Sequence, residues 1–202
     1  MNIRLDSGLI EGYNSNSQKA RVLTESWVAS NLYCPVCGNQ RISHFSNNME
    51  VADFYCPVCG EQYELKSKNG KLGHKVADGA YTTFVQRITD SKSPDFLFMS
   101  YNLQDMMVHH LSFVQIGRAS CREIPLQGRI SIIQDMNVVD KMIVQENVKR
   151  AFSMRVDNLD SRGWLFDILH CVNGISSAEF SLSQVYQFEN LLEEKHPENH
   201  NV

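Results

Sequence analysis

Residues 15–30 place Ala20, Leu23, Trp27 and Val28 at helical spacing, which gathers these apolar side chains on one face. Ser15 or Ser17 can cap the start of that helix. Residues 34–61 are bounded by cysteines and rich in turns, and short strands are predicted at 51–55 and 62–67, flanking the second cysteine pair. A second helix is predicted over 78–89. The run Asp95-Phe96-Leu97-Phe98-Met99-Ser100-Tyr101 is largely apolar and suits a buried central strand. Further strands are expected at 108–114 and 129–135. A strand-rich middle between helices makes a layered α/β or α+β core.

After about residue 157 the pattern changes. Residues 162–172 read as an amphipathic helix carrying Trp164, Leu165, Ile168 and Leu169, and Asn173-Gly174 breaks it. The next helix begins near Ser181, where Gln184 is placed to complete a capping box. The tail from Lys195 to Val202 reads as frayed. Two copies of Cys-Pro-Val-Cys are the one internal echo, as the two halves of a single site.

Composition narrows the class. A chain of 202 residues holds one ordinary core plus a small appendage, and its 43% hydrophobic and 21% charged residues are those of a soluble globular protein. No apolar run reaches the roughly 18 residues of a membrane span. The start, Met1-Asn2-Ile3-Arg4-Leu5-Asp6, lacks the apolar segment of a secretion signal, so a cytoplasmic location is expected. Thiols stay reduced there, and paired Cys-x-x-Cys units read as metal ligands before disulfides. The net charge of −4 offers no global attraction to nucleic acid, so a DNA-binding surface has to be local. Lys66, Lys68, Lys71 and Lys75 supply one cluster.

Cys34-Pro35-Val36-Cys37 and Cys56-Pro57-Val58-Cys59 stand eighteen residues apart, the spacing of a four-cysteine zinc ribbon. Gly38 and Gly60 follow the second cysteine of each pair, where a tight knuckle needs a residue that tolerates positive φ. Four buried thiols or a redox pair are the plainer alternatives, and two matched knuckles favour zinc over both. A closed four-cysteine site is structural, so zinc is not expected to be the catalyst. Cys121 and Cys171 stand alone and read as ordinary small residues.

Interleaved with the knuckles is an acidic pattern: Asp53, ten residues, then Glu64-Leu65-Lys66. In a strand Glu64 and Lys66 share a face while Tyr63 and Leu65 point the other way. If the strands carrying Asp53 and Glu64 pair through the second knuckle, the two carboxylates converge. They then form an oxygen-ligand site suited to Mg²⁺, with the Leu65 carbonyl as a further ligand and Lys66 beside a bound water or a charged phosphate. Short motifs of this kind often lie on a solvated strand face. That alternative stays open on the residues alone, although a knuckle between the two halves favours catalysis. Gln18 and Arg21, one turn apart on the first helix, are weaker candidates for supporting this site. Trp27 and Trp164 read as core. His109 and His110 are adjacent on a strand and face opposite ways, which argues against a shared metal.

Asp53 with Glu64-Leu65-Lys66 resembles the signature of the PD-(D/E)XK nuclease superfamily. The wider text is closer still: Ser15-Asn16-Ser17-Gln18-Lys19-Ala20-Arg21, Val51-Ala52-Asp53-Phe54-Tyr55-Cys56, Glu64-Leu65-Lys66-Ser67-Lys68, Asp78-Gly79-Ala80-Tyr81 and Ser161-Arg162-Gly163-Trp164. Together these strings resemble the DpnI family of methyl-directed restriction endonucleases. The resemblance implies a PD-(D/E)XK catalytic domain over residues 1–156, containing the zinc site, followed by a winged-helix DNA-binding domain over 157–202. It implies a Mg²⁺-dependent endonuclease acting on double-stranded DNA at GATC with N6-methylated adenine; a monomer is expected. Asp53 and Glu64 would hold magnesium, Lys66 would serve the water, and Cys34, Cys37, Cys56 and Cys59 would hold zinc. A non-catalytic zinc-ribbon module that binds DNA or protein is the alternative.

Two departures from the family are expected. The winged helix stops after its first two helices, so the element that would read base edges is expected to be absent. The stretch Ile116-Gly117-Arg118-Ala119-Ser120-Cys121-Arg122-Glu123 reads as the in-frame translation of a sequencing adapter, in place of a longer, more basic family segment, with a natural short linker as the alternative.

Overall fold

The computed structural model describes residues 1–45, 52–72, 94–115, 129–153, 164–165, 167–168, 171–172, 174–175 and 179–198. The helix expected over 78–89, the string 116–123, Lys75 and Cys121 lie outside the described residues. The described part is a mixed α/β fold built on a seven-stranded sheet. Its strands are β1 (Ser43–His44), β2 (Phe54–Tyr55), β3 (Gln62–Asn69), β4 (Asp95–Asn102), β5 (Met107–Val114), β6 (Arg129–Gln134) and β7 (Asn137–Val138), neighbours in that order. All pairs are antiparallel except β3 with β4.

Every residue of β4 but Asn102 is buried, as its continuous apolar run predicts. Leu97 and Met99 join Leu111, Phe113, Ile130 and Ile132 of the neighbouring strands in the core. Helix α1 (Asn16–Asn31) matches the expected element and buries Leu23, Thr24, Trp27 and Val28; Ser15 takes the N-cap position, but its hydroxyl meets Ser17 Oγ at 2.8 Å and makes no capping hydrogen bond. The Trp27 indole N–H donates to the Asn2 carbonyl at 2.9 Å, which ties the N-terminal segment to the helix.

Helix α2 (Lys141–Ser153) has no counterpart among the sequence expectations. It buries Val144, Val148 and Ala151, one narrow stripe of small residues. Met142 and Ile143 are exposed on the same helix, which blurs the apolar period. Strand 51–55 is shorter than expected. Phe54 and Tyr55 are strand, whereas Ala52 and Asp53 precede it, Asp53 in a bend, and Val51 lies outside the described residues.

In the C-terminal part, residues 164, 165, 167, 168, 171 and 172 are helical. Two short helices follow, α3 (Leu182–Tyr186) and α4 (Glu189–Lys195). The capping box of Ser181 with Gln184 forms as expected. The frayed tail does not begin where expected. Lys195 ends α4, and Lys195 Nζ and His196 Nε2 bond to the two oxygens of Asp167 at 2.6 and 2.7 Å. These bonds hold the Asp167 carboxyl below its ordinary range despite the opposing effect of burial. The ring of Trp164 meets His196 edge to face, but it is half-buried and not part of the core expected for it.

Candidate metal centre and acidic site

The two knuckles fold as the same turn. In each, the glycine N–H donates to the carbonyl of the first cysteine at 2.9 Å, Gly38 to Cys34 and Gly60 to Cys56. The first cysteine's own N–H donates at 2.8 Å to the residue after the glycine, Asn39 and Glu61 respectively. Gly38 and Gly60 have φ of 77° and 76°, the left-handed region expected for both.

The turns face each other so that sulfurs pair across them. Cys34 Sγ lies 3.6 Å from Cys59 Sγ, and Cys37 Sγ 3.5 Å from Cys56 Sγ. All four sulfurs lie within 4.8 Å of one another. Four thiolates around zinc at the usual bond length stand ~3.8 Å apart, so the cluster fits a tetrahedral ion. None of the described cysteines is in a disulfide. Cys34 and Cys56 are buried, Cys37 and Cys59 exposed. Burial raises the Cys56 thiol, but the N–H groups of Cys59 and Val58 and the Cys37 thiol outweigh it and bring it to about 7. A thiol at that level is readily deprotonated, the form a metal needs.

The second knuckle is the turn between β2 and β3, which pair antiparallel as Phe54 with Tyr63 and Tyr55 with Gln62. It therefore sets Asp53 beside the strand that carries Glu64. The Asp53 N–H donates to the Tyr63 carbonyl at 3.0 Å, and Asp53 Oδ2 accepts the Leu65 N–H at 2.7 Å. Glu64 and Lys66 share a face, as their spacing predicts, and Lys66 Nζ lies 2.8 Å from Glu64 Oε1. Burial raises the Asp53 carboxyl above its ordinary range. The Leu65 N–H opposes this, the nearby Glu25 and Glu64 charges add to it, and His44 offsets part. A half-buried carboxyl raised by burial and by neighbouring carboxylates is a donor whose charge a divalent cation would relieve.

Glu25 and His44 were not among the residues the sequence singled out. Glu25 Oε1 pairs with Arg21 Nε at 2.8 Å, and Glu25 Oε2 lies 2.9 Å from His44 Nε2. His44 Nδ1 lies 2.6 Å from the Phe45 carbonyl. Burial lowers the His44 imidazole, but the Phe45 carbonyl and the Glu25 carboxylate outweigh it, and the net shift is upward. Arg21 therefore reaches this corner through Glu25, whereas Gln18 is exposed. The helix leans on β3 through Thr24 Oγ1 and Ser67 Oγ, 3.3 Å apart. The one signal for Glu25 was its place four residues after Arg21. For His44 there was none, because it reaches the site by the pairing of β1 with β2.

Lys68 and Lys71 are exposed beyond Lys66 on the same segment. His109 and His110 pair with separate carboxylates, Asp105 at 2.7 Å and Asp135 at 3.4 Å. Cys171 is buried, in keeping with an ordinary small core residue. Among the described residues, the four cysteines form the one cluster of metal-ligand type. No helix among the described residues is long and apolar enough to cross a membrane.

The family model described as DpnI, Dam-replacing family, matches residues 1–118, more than half of the chain. That segment contains the four cysteines, Asp53, Glu64 and Lys66. A second model, the Dam-replacing HTH domain, matches residues 160–202.

Proposed function

The chain belongs to the Dam-replacing family of methylation-directed restriction endonucleases, and from that premise we propose that it cleaves double-stranded DNA at GATC sites carrying N6-methylated adenine, with Mg²⁺. The observation that carries this reading is the hairpin joining Asp53 to the Glu64 strand, with Lys66 paired to Glu64. It is the arrangement expected of a PD-(D/E)XK core, here assigned to a catalytic domain over residues 1–156. The C-terminal domain, 157–202, is assigned to winged-helix DNA contact, and the helix-turn-helix match supports that assignment.

Asp53 and Glu64 would hold the magnesium, which would supply Lewis-acid stabilisation of charge on the scissile phosphate. The Leu65 N–H holds one Asp53 oxygen and leaves the other for a ligand role. Lys66 leaves its ion pair with Glu64 to orient the attacking water or to neutralise charge growing on the phosphate. Lys68 and Lys71 contact the DNA backbone, a sequence-independent contribution. Cys34, Cys37, Cys56 and Cys59 hold structural zinc, which keeps the hairpin in register.

The test is incubation of purified protein with adenine-methylated and unmethylated plasmid, with and without Mg²⁺. Cutting of methylated plasmid alone, and only with Mg²⁺, is expected. Asp53→Ala should abolish it while leaving zinc content and folding intact. Failure to cut either plasmid would overturn the nuclease reading and favour a zinc-ribbon binding module.

A further inference from the structure

Tyr63 is where the cysteine cluster and the acidic pair meet. Its side chain and that of Cys34 are both fully buried, and its hydroxyl stands 3.0 Å from Cys34 Sγ. Its carbonyl accepts the Asp53 N–H at 3.0 Å, and its next neighbour in the chain is Glu64. Its ring meets Phe113 edge to face at 6.3 Å, which anchors the phenol in the core.

The two buried sulfurs are served differently. Cys56 draws on the backbone N–H groups of Val58 and Cys59. Cys34 has the backbone N–H of Cys37 at 3.4 Å and the Tyr63 hydroxyl. A metal-bound thiolate carries no proton, so in that state the hydroxyl is the donor. Four thiolates around a divalent ion leave an excess of negative charge, and a buried sulfur has only nearby donors to spread it.

We propose that Tyr63 is a positioning residue joining the two sites: its hydroxyl steadies the Cys34 sulfur in the metal-binding state while its carbonyl holds Asp53 beside the Glu64 strand. Loss of metal from the cysteines then removes the thiolate partner of the Tyr63 hydroxyl and loosens the acidic pair. The proposal rests on reading the cysteines as a zinc site.

The test compares wild-type protein with Tyr63→Phe and Tyr33→Phe. Tyr33 also carries a buried hydroxyl beside the first knuckle, but that hydroxyl has no hydrogen-bond partner among the described residues. Zinc per chain is measured by elemental analysis, and its transfer to a chromogenic chelator is followed by absorbance. Tyr63→Phe should bind one zinc yet release it about tenfold faster, whereas Tyr33→Phe should match wild type. In the cobalt-substituted protein, Tyr63→Phe should move the sulfur-to-metal charge-transfer band to longer wavelength, a shift that altered packing alone would not give.

The second arm uses wild-type protein and does not depend on the variant folding. Hydrogen exchange of the Asp53 amide, bonded to the Tyr63 carbonyl, should be slow with zinc and fast after stripping by chelator. Equal release rates for wild type and Tyr63→Phe, or an unmoved cobalt band, would overturn the hydroxyl's role. An Asp53 amide that stays protected without zinc would overturn the coupling. Wild-type protein that binds no zinc would overturn the cysteine-site reading and this proposal with it. None of these measurements relies on DNA cleavage, so a failed nuclease assay leaves them decisive.

Discussion

The two knuckles are the same five residues, Cys-Pro-Val-Cys-Gly, folded into the same turn with the same backbone-to-backbone hydrogen bonds. Their surroundings are opposite. Pro35 is buried, Val36 packs against the core, and Lys141 of α2 donates to the Gly38 carbonyl at 2.6 Å. The same lysine lies 5.1 Å from the centre of the Tyr33 ring. In the second knuckle Pro57, Cys59 and Gly60 are exposed, and Val58 is 70% exposed. Local sequence therefore dictates the turn, and distant sequence decides whether the turn belongs to the core. The first knuckle is held by packing. The second, which carries the acidic hairpin, has little packing around it and would depend on a metal held by the four cysteines.

The largest test of that contrast is metal loss. Cys34→Ser and Cys56→Ser should each abolish zinc binding and lower Tm by on the order of 10 °C, as measured by calorimetry. Hydrogen exchange should then separate them from packing effects: stripping zinc exposes amides of residues 56–60 first, while 34–38 stay protected under α2. Equal loss of protection in both knuckles would break the comparison. The glycines come next. Alanine at either position faces the left-handed penalty of ~1–2 kcal/mol. At Gly38 a methyl group would also run into the Gln145 amide, whereas the space beside Gly60 is open. Gly38→Ala should therefore lower Tm more than Gly60→Ala, and the reverse order would show that α2 does not clamp the first turn.

Smaller still is Lys141→Ala. Removing one charged hydrogen bond and a cation–ring contact should cost about 1–2 kcal/mol in denaturant unfolding, with nothing lost at the second knuckle. The smallest effect is at the valines. Val36→Ser should cost about 1 kcal/mol, while Val58→Ser should stay within ~0.5 kcal/mol by the same assay. A large penalty at Val58 would mean that this exposed tip is covered by something.

The features legible in the sequence are those written locally. Knuckle glycines, the continuous apolar run of β4, the apolar face of α1 and the capping box at Ser181 each depend on neighbours a few residues away. The Glu64–Lys66 face followed from strand alternation, and the convergence of Asp53 on the Glu64 strand followed from treating the second knuckle as a hairpin turn. What was hidden depends on contacts far along the chain. Helix α2 shows too narrow an apolar stripe to stand out, yet it is what makes one knuckle unlike the other. Glu25 and His44 meet across nineteen positions, and Tyr63 meets Cys34 across twenty-nine. No local pattern marks such pairs. The link of Asp167 to Lys195 and His196 was hidden for the same reason, which is why the tail read as frayed.

The parallel pairing of β3 with β4 has a consequence for how the chain folds. Antiparallel neighbours close through short turns, but these two strands must be brought together around the segment 70–94, the longest connection between neighbours in the sheet. Closing a long loop is entropically slow and comes late relative to local pairing. The four cysteines and the acidic corner of Glu25, His44, Asp53, Glu64 and Lys66 all lie before that closure. A chain emerging from the ribosome thus carries every cysteine and acidic residue of both sites before β4 is made, and domains generally fold from the N-terminal side during synthesis. Metal supplied at that moment would act as a nucleus for the half of the sheet that the remaining strands later join.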